Sequence, residues 1–383
     1  MKSAFRFSLA AVAPQGSWRR VCVRAAIRFP QMSALALSFL ALAAGMPASS
    51  ATVDAFRDPL VTPAQLTKFA ANSSLMALAH AGMRLVAVGA RGLIIISDDA
   101  GASWRQTRVP VSSDLVAVRF VTPTQGFATG HDGVVLSTQD AGNTWIKRLD
   151  GRAASALLTA HFSKLAAAGD ADAARLLTEV QRNYAEGPEL PVLDVWFDTP
   201  ERGWIVGAFG TILATDDGGQ HWTSWIEKVD NKKMLHYNAV RRIGDDLFIA
   251  SEQGIVFKFD RKRERFVALH TGYQGSFFGV TGTRDYVLAY GLRGSLYRSR
   301  DGGASWQVLA SGVSGGLNDG VATADGRVLL VSQDGRLIVS RDQADSFKAL
   351  TVPRPDVLTG VALMASGKVV LAGLRGAQIV ALD

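Results

Sequence analysis

The sequence is poor in the residues that carry redox and metal chemistry. Its 383 residues include one cysteine, Cys22, and six histidines. Residues 52–383 therefore hold no thiol for a disulfide, a nucleophile or a zinc site. The histidines show no H-E-x-x-H or comparable spacing. We expect no metal and no cofactor.

Acidic residues are absent from residues 1–51, which hold six basic ones. The formal charge of +7 belongs mainly to this segment, because the rest of the chain has 35 basic and 34 acidic residues. An exported chain of nearly neutral charge is not expected to bind nucleic acid.

A long hydrophobic run is also missing. The apolar stretch from Ser33 to Met46 is shorter than the roughly 18 residues of a spanning helix. It follows arginines up to Arg28 and ends in small residues at Ala51, which is the pattern of an export signal over 1–51. We expect cleavage near Ala51 and a mature chain in the periplasm, or in the thylakoid lumen of a photosynthetic organism. An uncleaved membrane anchor is the alternative.

What the sequence has in abundance is internal repetition. A box of the form Ser/Thr-x-Asp-x-Gly-x-x-Trp recurs, and its closing aromatic residue returns at steps of 41, 77, 44, 40 and 41 residues. The box is degenerate in two repeats, and the long step contains an insertion. The aromatic residues are Trp104, Trp145, Trp222, Phe266, Trp306 and Phe347.

A second signature, a glycine or serine three residues before a glycine, occurs seven times between short apolar strands. A period of about 41 residues built from strands and tight turns is typical of a four-stranded propeller blade. Seven copies predict an all-β, seven-bladed β-propeller as a single domain over 52–383. The seventh repeat reaches Asp383 after its third strand, so we expect residues 52–62 to supply its outer strand and close the ring. The signatures begin at Gly89, Gly130, Gly207, Ser251, Gly291, Ser332 and Gly373.

The boxes have a structural interpretation. The aspartate can accept hydrogen bonds from turn amides, the glycine adopts a positive φ, and the tryptophan packs beneath the turn. A calcium loop is the weaker alternative, because no D-x-D-x-D-G loop followed by glutamate is present. The residues interpreted in this way are Asp99, Gly101, Trp104, Asp140, Gly142, Trp145, Asp217, Gly219, Trp222, Asp301, Gly303 and Trp306.

The insertion lies at 151–190, between the second and third repeats. Leu158, Phe162, Leu176 and Val180 recur there at helical spacing around a Gly-Asp break, which predicts a helical hairpin. We expect it on the same face as the seven tight turns, a face that commonly binds partners. Covering a hydrophobic patch is the alternative role.

The residue before the second glycine of the tight turn is arginine in three repeats and phenylalanine in another. Arginine suits bidentate recognition of carboxylates or phosphates and is favoured at protein interfaces. The alternative is that these arginines are exposed to solvent and bind no partner. The candidate partner-binding residues are Arg91, Arg293, Arg375 and Phe209 in the turns, with Arg119 and Arg241 on inner strands.

No motif designates a catalytic group. Residues 312–316, GVSGG, match G-x-S-x-G, but Ser314 lies in a predicted loop rather than on a strand-to-helix elbow. A propeller glycosidase would need placed carboxylates, which no pattern marks. The sequence therefore indicates no enzyme.

The boxes SDDAGASW, TQDAGNTW, TDDGGQHW and SRDGGASW, each after a G-x-x-G turn, resemble those of the photosystem II stability and assembly factor family and its bacterial relatives. The resemblance covers about residues 60–383. It implies a seven-bladed propeller without enzymatic activity that binds membrane proteins on the lumenal or periplasmic side. The family's arginine-bearing turns match at Arg91, Arg293 and Arg375 only.

We therefore expect an exported, monomeric, non-enzymatic scaffold that assists the assembly or function of a membrane protein complex through its arginine-bearing face. In a non-photosynthetic bacterium, the resemblance implies an envelope complex such as a transporter of the resistance-nodulation-division type. The alternatives are a glycoside hydrolase of sialidase type and a carbohydrate-binding propeller.

Overall fold

A computed structural model describes residues 56–382. The predicted export signal lies outside the described residues. The described strands form seven antiparallel sheets, each running in sequence order from an inner to an outer strand. Neighbouring inner strands contact one another around the ring, including the first and the last. The predicted seven-bladed propeller is confirmed.

Blades 1 to 4 contain sixteen strands. They are β1 (Leu75–Ala81), β2 (Arg84–Gly89), β3 (Ile94–Ser97), β4 (Arg105–Gln106), β5 (Leu115–Phe120), β6 (Gly126–Gly130), β7 (Val135–Thr138), β8 (Ile146–Leu149), β9 (Val192–Phe197), β10 (Gly203–Gly207), β11 (Ile212–Thr215), β12 (Thr223–Ser224), β13 (Tyr237–Ile243), β14 (Asp246–Ser251), β15 (Ile255–Asp260) and β16 (Arg265–His270).

Blades 5 and 6 have four strands each and blade 7 has three. They are β17 (Phe277–Gly282), β18 (Val287–Gly291), β19 (Leu296–Ser299), β20 (Gln307–Val308), β21 (Leu317–Ala322), β22 (Val328–Ser332), β23 (Arg336–Ser340), β24 (Lys348–Thr351), β25 (Leu358–Leu363), β26 (Lys368–Gly373) and β27 (Gly376–Ala381).

The core lies between adjacent blades. The second strand of a blade is covered on both faces, so it reads as a short continuous apolar run rather than an alternating one. Every residue of β6, β10, β18 and β22 is buried. These strands therefore fix the spacing of the ring by close packing.

Five of the seven tight turns begin with a glycine, at which the backbone of the chain approaches closely. A Cβ on Gly89 would lie 2.0 Å from the carbonyl oxygen of Ser74, the residue before β1. The same oxygen accepts a hydrogen bond from the N–H of Ala90. Each such turn is thereby fixed to the start of an inner strand, and the turns share one face of the ring. Four of them form short 3-10 segments, Ala90–Gly92, His131–Gly133, Ala208–Gly210 and Leu292–Gly294, with Ala70–Asn72 and Ile226–Lys228 elsewhere.

The expected closure by residues 52–62 is wrong for the described part of that segment. Residues 56–62 lie against blades 1 and 2, where the carbonyl of Pro59 accepts a hydrogen bond from the N–H of Ser112 at 2.9 Å. Leu60 is buried there beside Val109 and Val111, which provides the apolar burial that favours this path. Within residues 56–382, β27 pairs only with β26. Blades 7 and 1 instead meet through side chains and through a hydrogen bond from Thr359 Oγ1 to the carbonyl of Leu75.

The insertion forms the predicted helical hairpin, with α1 at Gly151–Ala167 and α2 at Ala171–Asn183. Asp150 caps α1 by accepting from the N–H groups of Arg152 and Ala153, and Asp170 caps α2. Phe162 is fully buried in the same cluster as Trp222 of blade 3. The start of α1 contacts the tight turn of blade 2, which places this end of the hairpin at the face that bears the turns.

Candidate functional site

The face that carries the seven tight turns is called here the turn face. Its exposed tips include Arg91, Phe209, Gln253, Arg293 and Arg375. All of these except Arg375 have a left-handed backbone, with φ between 50° and 58°. A left-handed non-glycine residue costs about 1 to 2 kcal/mol, and such strain is often found at functional sites. The tips of these left-handed turns are therefore both exposed and conformationally strained, and Ala100 and Ala141 in the Asp boxes share the left-handed backbone.

Two of the three arginines of the turn face are held by hydrogen bonds from their backbone N–H groups. The N–H of Arg91 donates to Asp114 Oδ1 at 2.7 Å, and that of Arg375 donates to Asp356 Oδ2 at 2.8 Å. Within the described chain, the guanidinium groups of Arg91, Arg293 and Arg375 make no ion pair or hydrogen bond. Their positive charges are thus available to a ligand.

Apolar side chains accompany these arginines. Leu292 and Leu374, the residues before Arg293 and Arg375, are 37% and 41% exposed. Phe209 is 39% exposed and its ring contacts that of His236, with centroids 4.7 Å apart. Exposed apolar side chains thus lie beside Arg293 and Arg375, whereas the equivalent turn positions of blades 2 and 6 hold Asp132 and Asp334.

The structure places the turn residues in different blades. Arg91 and Arg375 belong to blades 1 and 7, which contact each other through β1 and β25. Arg293 lies two blades further, in blade 5, and Phe209 lies in blade 3. The surface is a ring of separate contact points rather than one pocket.

Arg119 and Arg241 are not part of this rim. They point into the central channel, where Arg241 donates to Asp194 Oδ2. Arg119 Nε lies 4.0 Å from Asp194 Oδ1, and Arg119 Nη2 lies 3.8 Å from Asp319 Oδ1. The channel here encloses about 80 Å³, and a wider cavity of about 510 Å³ is also lined by Arg119, Arg241 and Asp319. These two arginines compensate the charge of the buried acids Asp194 and Asp319. Their contacts are explained by this structural role.

Asp194 and Asp319 were not predicted from the sequence, although an aspartate within the apolar strand LDVWF was a usable signal. The Asp194 carboxylate also accepts from the N–H of Val240, and Asp319 accepts from that of Val361. Burial raises the pKa of the Asp194 carboxyl to about 7, while the charge of Arg119 opposes the rise. Burial likewise raises the pKa of Asp319.

The Asp boxes occupy the opposite face, called here the box face. In the first box, Asp99 accepts hydrogen bonds from Ser97 Oγ and from the N–H and Oγ of Ser103. The indole N–H of Trp104 donates to the carbonyl of Gly101 at 3.1 Å. Hydrogen bonds from Ser103 lower the pKa of Asp99 to about 2. The Asp99 carboxylate therefore accepts its hydrogen bonds from residues of its own turn.

The degenerate box of blade 6 keeps this arrangement. Asp342 accepts from Ser340 Oγ and from the N–H and Oγ of Ser346. Gln343 and Ala344 take the left-handed conformation, with φ of 56° and 64°. Blade 4 does not keep it, because Asp260 accepts only from the N–H groups of Lys262 and Arg263 in a short hairpin turn.

The described residues contain neither a metal-binding cluster nor a spanning helix. Among residues 56–382, no group of three or more histidine, cysteine, aspartate or glutamate side chains is arranged to hold a metal. No helix in the same range has the length and apolar character needed to cross a membrane.

Comparison with known proteins finds a family model that matches part of the chain. Residues 181–348 match the family model described as photosynthesis system II assembly factor YCF48. Over these residues, which are less than half of the chain, the protein is similar to photosystem II assembly factors. The resemblance that the repeated boxes indicated is thereby confirmed, and the matched residues include Phe209 and Arg293 but neither Arg91 nor Arg375.

Curated relatives carry the same name. The chain is 25% identical over 158 residues to the photosystem II assembly lipoprotein Ycf48 of Synechococcus sp. (strain CC9902), covering 40% of this chain and 47% of the relative. It is 28% identical over 157 residues to the protein of that name from a strain of Prochlorococcus marinus, covering 40% and 46%. The matches thus span about half the length of these relatives.

Solved structures support the fold over a longer range. A structure described as YCF48 bound to D1 peptide has a TM-score of 0.60 and 13% identity, covering 86% of this chain and 98% of that one. YCF48 from Cyanidioschyzon merolae has a TM-score of 0.57 and 14% identity, covering 83% and 97%. At these identities, the likeness shows the fold alone.

Proposed function

We propose that the protein is a non-enzymatic scaffold of the cell envelope that binds an exposed segment of a membrane protein during assembly of its complex. The observation that carries the proposal is the set of unpaired guanidinium groups of Arg91, Arg293 and Arg375 on the turn face. Guanidinium groups without internal carboxylates favour an external anion, and a peptide carboxylate matches their bidentate geometry.

The apolar neighbours of these arginines favour a peptide over a bare anion. Leu292, Leu374 and Phe209 offer contact area beside the charges, so a segment with both acidic and apolar side chains complements the rim. The related structure with a bound D1 peptide supports this class of partner. Export, as predicted from residues 1–51, would bring the turn face to the compartment where such segments are exposed.

The test is crosslinked capture from membranes with the tagged protein. We compare wild type, Arg91→Glu/Arg375→Glu, and a control with the same charge change at exposed lysines elsewhere, Lys348→Glu/Lys368→Glu. Wild type and control should recover the same membrane protein, and the arginine variant should lose it at an unchanged melting temperature. Equal capture by all three proteins would overturn the role of the turn face.

The absence of catalysis is part of the proposal and has its own measurement. A panel of fluorogenic glycosides, including a sialoside, should show no turnover above a boiled sample. Turnover that a single aspartate or glutamate substitution abolishes would replace the scaffold with a hydrolase.

A further inference from the structure

The Asp boxes do more than close their own hairpins, because each fills the groove toward the preceding blade. A Cβ built on Gly219, in the box of blade 3, would lie 3.3 Å from Phe127 of blade 2. In the same way, a Cβ built on Gly142 of blade 2 would lie 3.4 Å from Val86 Cγ2 of blade 1. An intact box therefore seals the groove between two blades on the box face.

Blade 4 lacks this seal. Its third and fourth strands are joined by the short turn of residues 261–264, without the box glycines or tryptophan. The groove between blades 3 and 4 consequently opens into a cleft of about 650 Å³. The cleft is lined by Asp198, Arg202, Trp204, Trp225, Lys228, Arg242, Leu247, Phe259, Arg261 and Glu264.

The interior of the cleft is aromatic. The ring centroids of Trp204 and Trp225 lie 5.6 Å apart, and those of Trp225 and Phe259 lie 5.7 Å apart. The buried indole N–H of Trp204 has no hydrogen-bond partner in the described chain. Trp204 is only 2% exposed, so the ring surface open to a ligand belongs to the partly buried Trp225 and Phe259, on which a flat apolar group would replace water.

The rim of the cleft is cationic. The guanidinium of Arg202 lies 5.3 Å from the ring centroid of Trp204, and Lys228 Nζ lies 4.5 Å from that of Trp225. Lys228 has no carboxylate partner among the described residues, and the nearest carboxylate to Arg202 is the exposed Asp216 at 3.7 Å. The charge of Lys228 is therefore available to an anion, and an anion would compete for Arg202 only with an exposed, long ion pair.

The other charged groups of the cleft do not cancel the positive charge of its rim. Arg242 is paired with Asp198 on two atoms and is already neutralised. Arg261 donates to the carbonyl of Asp245 and has no carboxylate partner within the described range, whereas Glu264 is exposed at the edge. The lining thus carries more unpaired positive charge than unpaired negative charge. These charges lie next to aromatic rings.

We propose that this cleft is a second binding site, which takes a carboxylate joined to an aromatic or apolar group. The rings of Trp225 and Phe259 hold the apolar part, and Arg202 and Lys228 bind the carboxylate. The chemistry is shared by a free aromatic acid and by the C-terminal residue of a peptide. The site is on the face opposite the proposed partner-binding rim and does not depend on it.

The first test uses two fluorescent probes that differ in charge. The dye 1-anilinonaphthalene-8-sulfonate carries an anion that stands in for the carboxylate, whereas N-phenyl-1-naphthylamine has the same rings without it. Arg202→Gln/Lys228→Gln should weaken binding of the anionic dye to the full-length protein about tenfold and leave the neutral dye unchanged. The control Lys348→Gln, an exposed cation elsewhere, should bind both dyes like wild type. Equal affinity of the double variant and wild type for the anionic dye would overturn the proposal.

The second test identifies the source of the carboxylate by displacing the bound anionic dye. The competitors are 3-phenylpropionate, the peptide acetyl-Ala-Ala-Phe with a free carboxylate, and its carboxamide. Displacement by 3-phenylpropionate assigns a free acid, and displacement by the peptide acid alone assigns a peptide terminus. Failure of both acids, or equal displacement by the carboxamide, would overturn the proposal. Arg91→Glu/Arg375→Glu should bind the dye normally, so failure of the proposed function would not affect this result.

Discussion

The carboxylate of Asp194 on β9 accepts a hydrogen bond from the backbone N–H of Val240 on β13 at 2.9 Å. This contact joins the inner strands of blades 3 and 4 inside the channel. Asp319 and Val361 repeat it between blades 6 and 7 at 3.1 Å. In both places an acid that lies deep in an apolar strand connects one blade to the next.

Asp194→Ala should be strongly destabilising. The substitution leaves Arg241 and Arg119 close together in the channel without the carboxylate that compensates them, and removing one partner of a buried pair costs about 3 to 5 kcal/mol. Urea unfolding measures the change. Asp216→Ala, at an exposed position, serves as the control and should shift the free energy of unfolding by less than about 0.5 kcal/mol. An unchanged urea midpoint for Asp194→Ala would show that the channel pairs do not hold the ring.

The Asp boxes predict a loss of stability in acid. Hydrogen bonds from the turns lower the pKa of Asp99, Asp217, Asp301 and Asp342 from 3.8 to about 2. A carboxyl whose pKa is lower in the folded state stabilises the fold above its unfolded pKa and loses that contribution as the pH falls through the folded one. The urea midpoint should therefore decrease between about pH 4 and pH 2. Asp342→Asn should have a shallower decrease, and identical slopes would contradict the assignment.

Gln343→Gly should stabilise the protein by about 1 kcal/mol. Gln343 is exposed and left-handed, at the position where two intact boxes have Gly218 and Gly302. Glycine removes the steric cost of this conformation, although part of the gain is offset by the greater freedom of the unfolded chain. Thermal unfolding measures the effect. Gln343→Ala keeps the strained conformation and should melt like wild type, and a lower melting temperature for the glycine variant would refute the argument.

Leu60→Ala should cost about 2 to 5 kcal/mol, because the residue is 1% exposed between blades 1 and 2. Its exposed neighbour Val61, at 66% exposure, provides the control, and Val61→Ala should have little effect. Equal melting temperatures for the two variants would mean that residues 56–62 do not contribute to the ring.

The repeats made the blades predictable because they are local. A box or a tight turn involves residues within one hairpin, so the spacing of Asp99, Gly101 and Trp104 is sufficient to predict the turn. The channel pairs were not predictable, since Asp194 and Arg241 are far apart in sequence and no repeat aligns them. The path of Leu60 was also missed, because an extended segment can pair with any open edge, and side-chain burial decided between blades 7 and 1. The cleft between blades 3 and 4 follows from a box that is missing, and the sequence showed the loss at residues 261–264 without showing which rings it exposes.

The way in which blade 7 meets blade 1 bears on how the chain folds. Among residues 56–382, every strand ladder is completed within a single blade, so none of these sheets has to wait for the two ends of the ring to meet. The contact between Thr359 and Leu75 spans 284 residues, and it forms between blades whose ladders are already complete. The entropy of closing so long a loop is therefore required only where blades 7 and 1 meet, and the ladders of the separate blades can form without it.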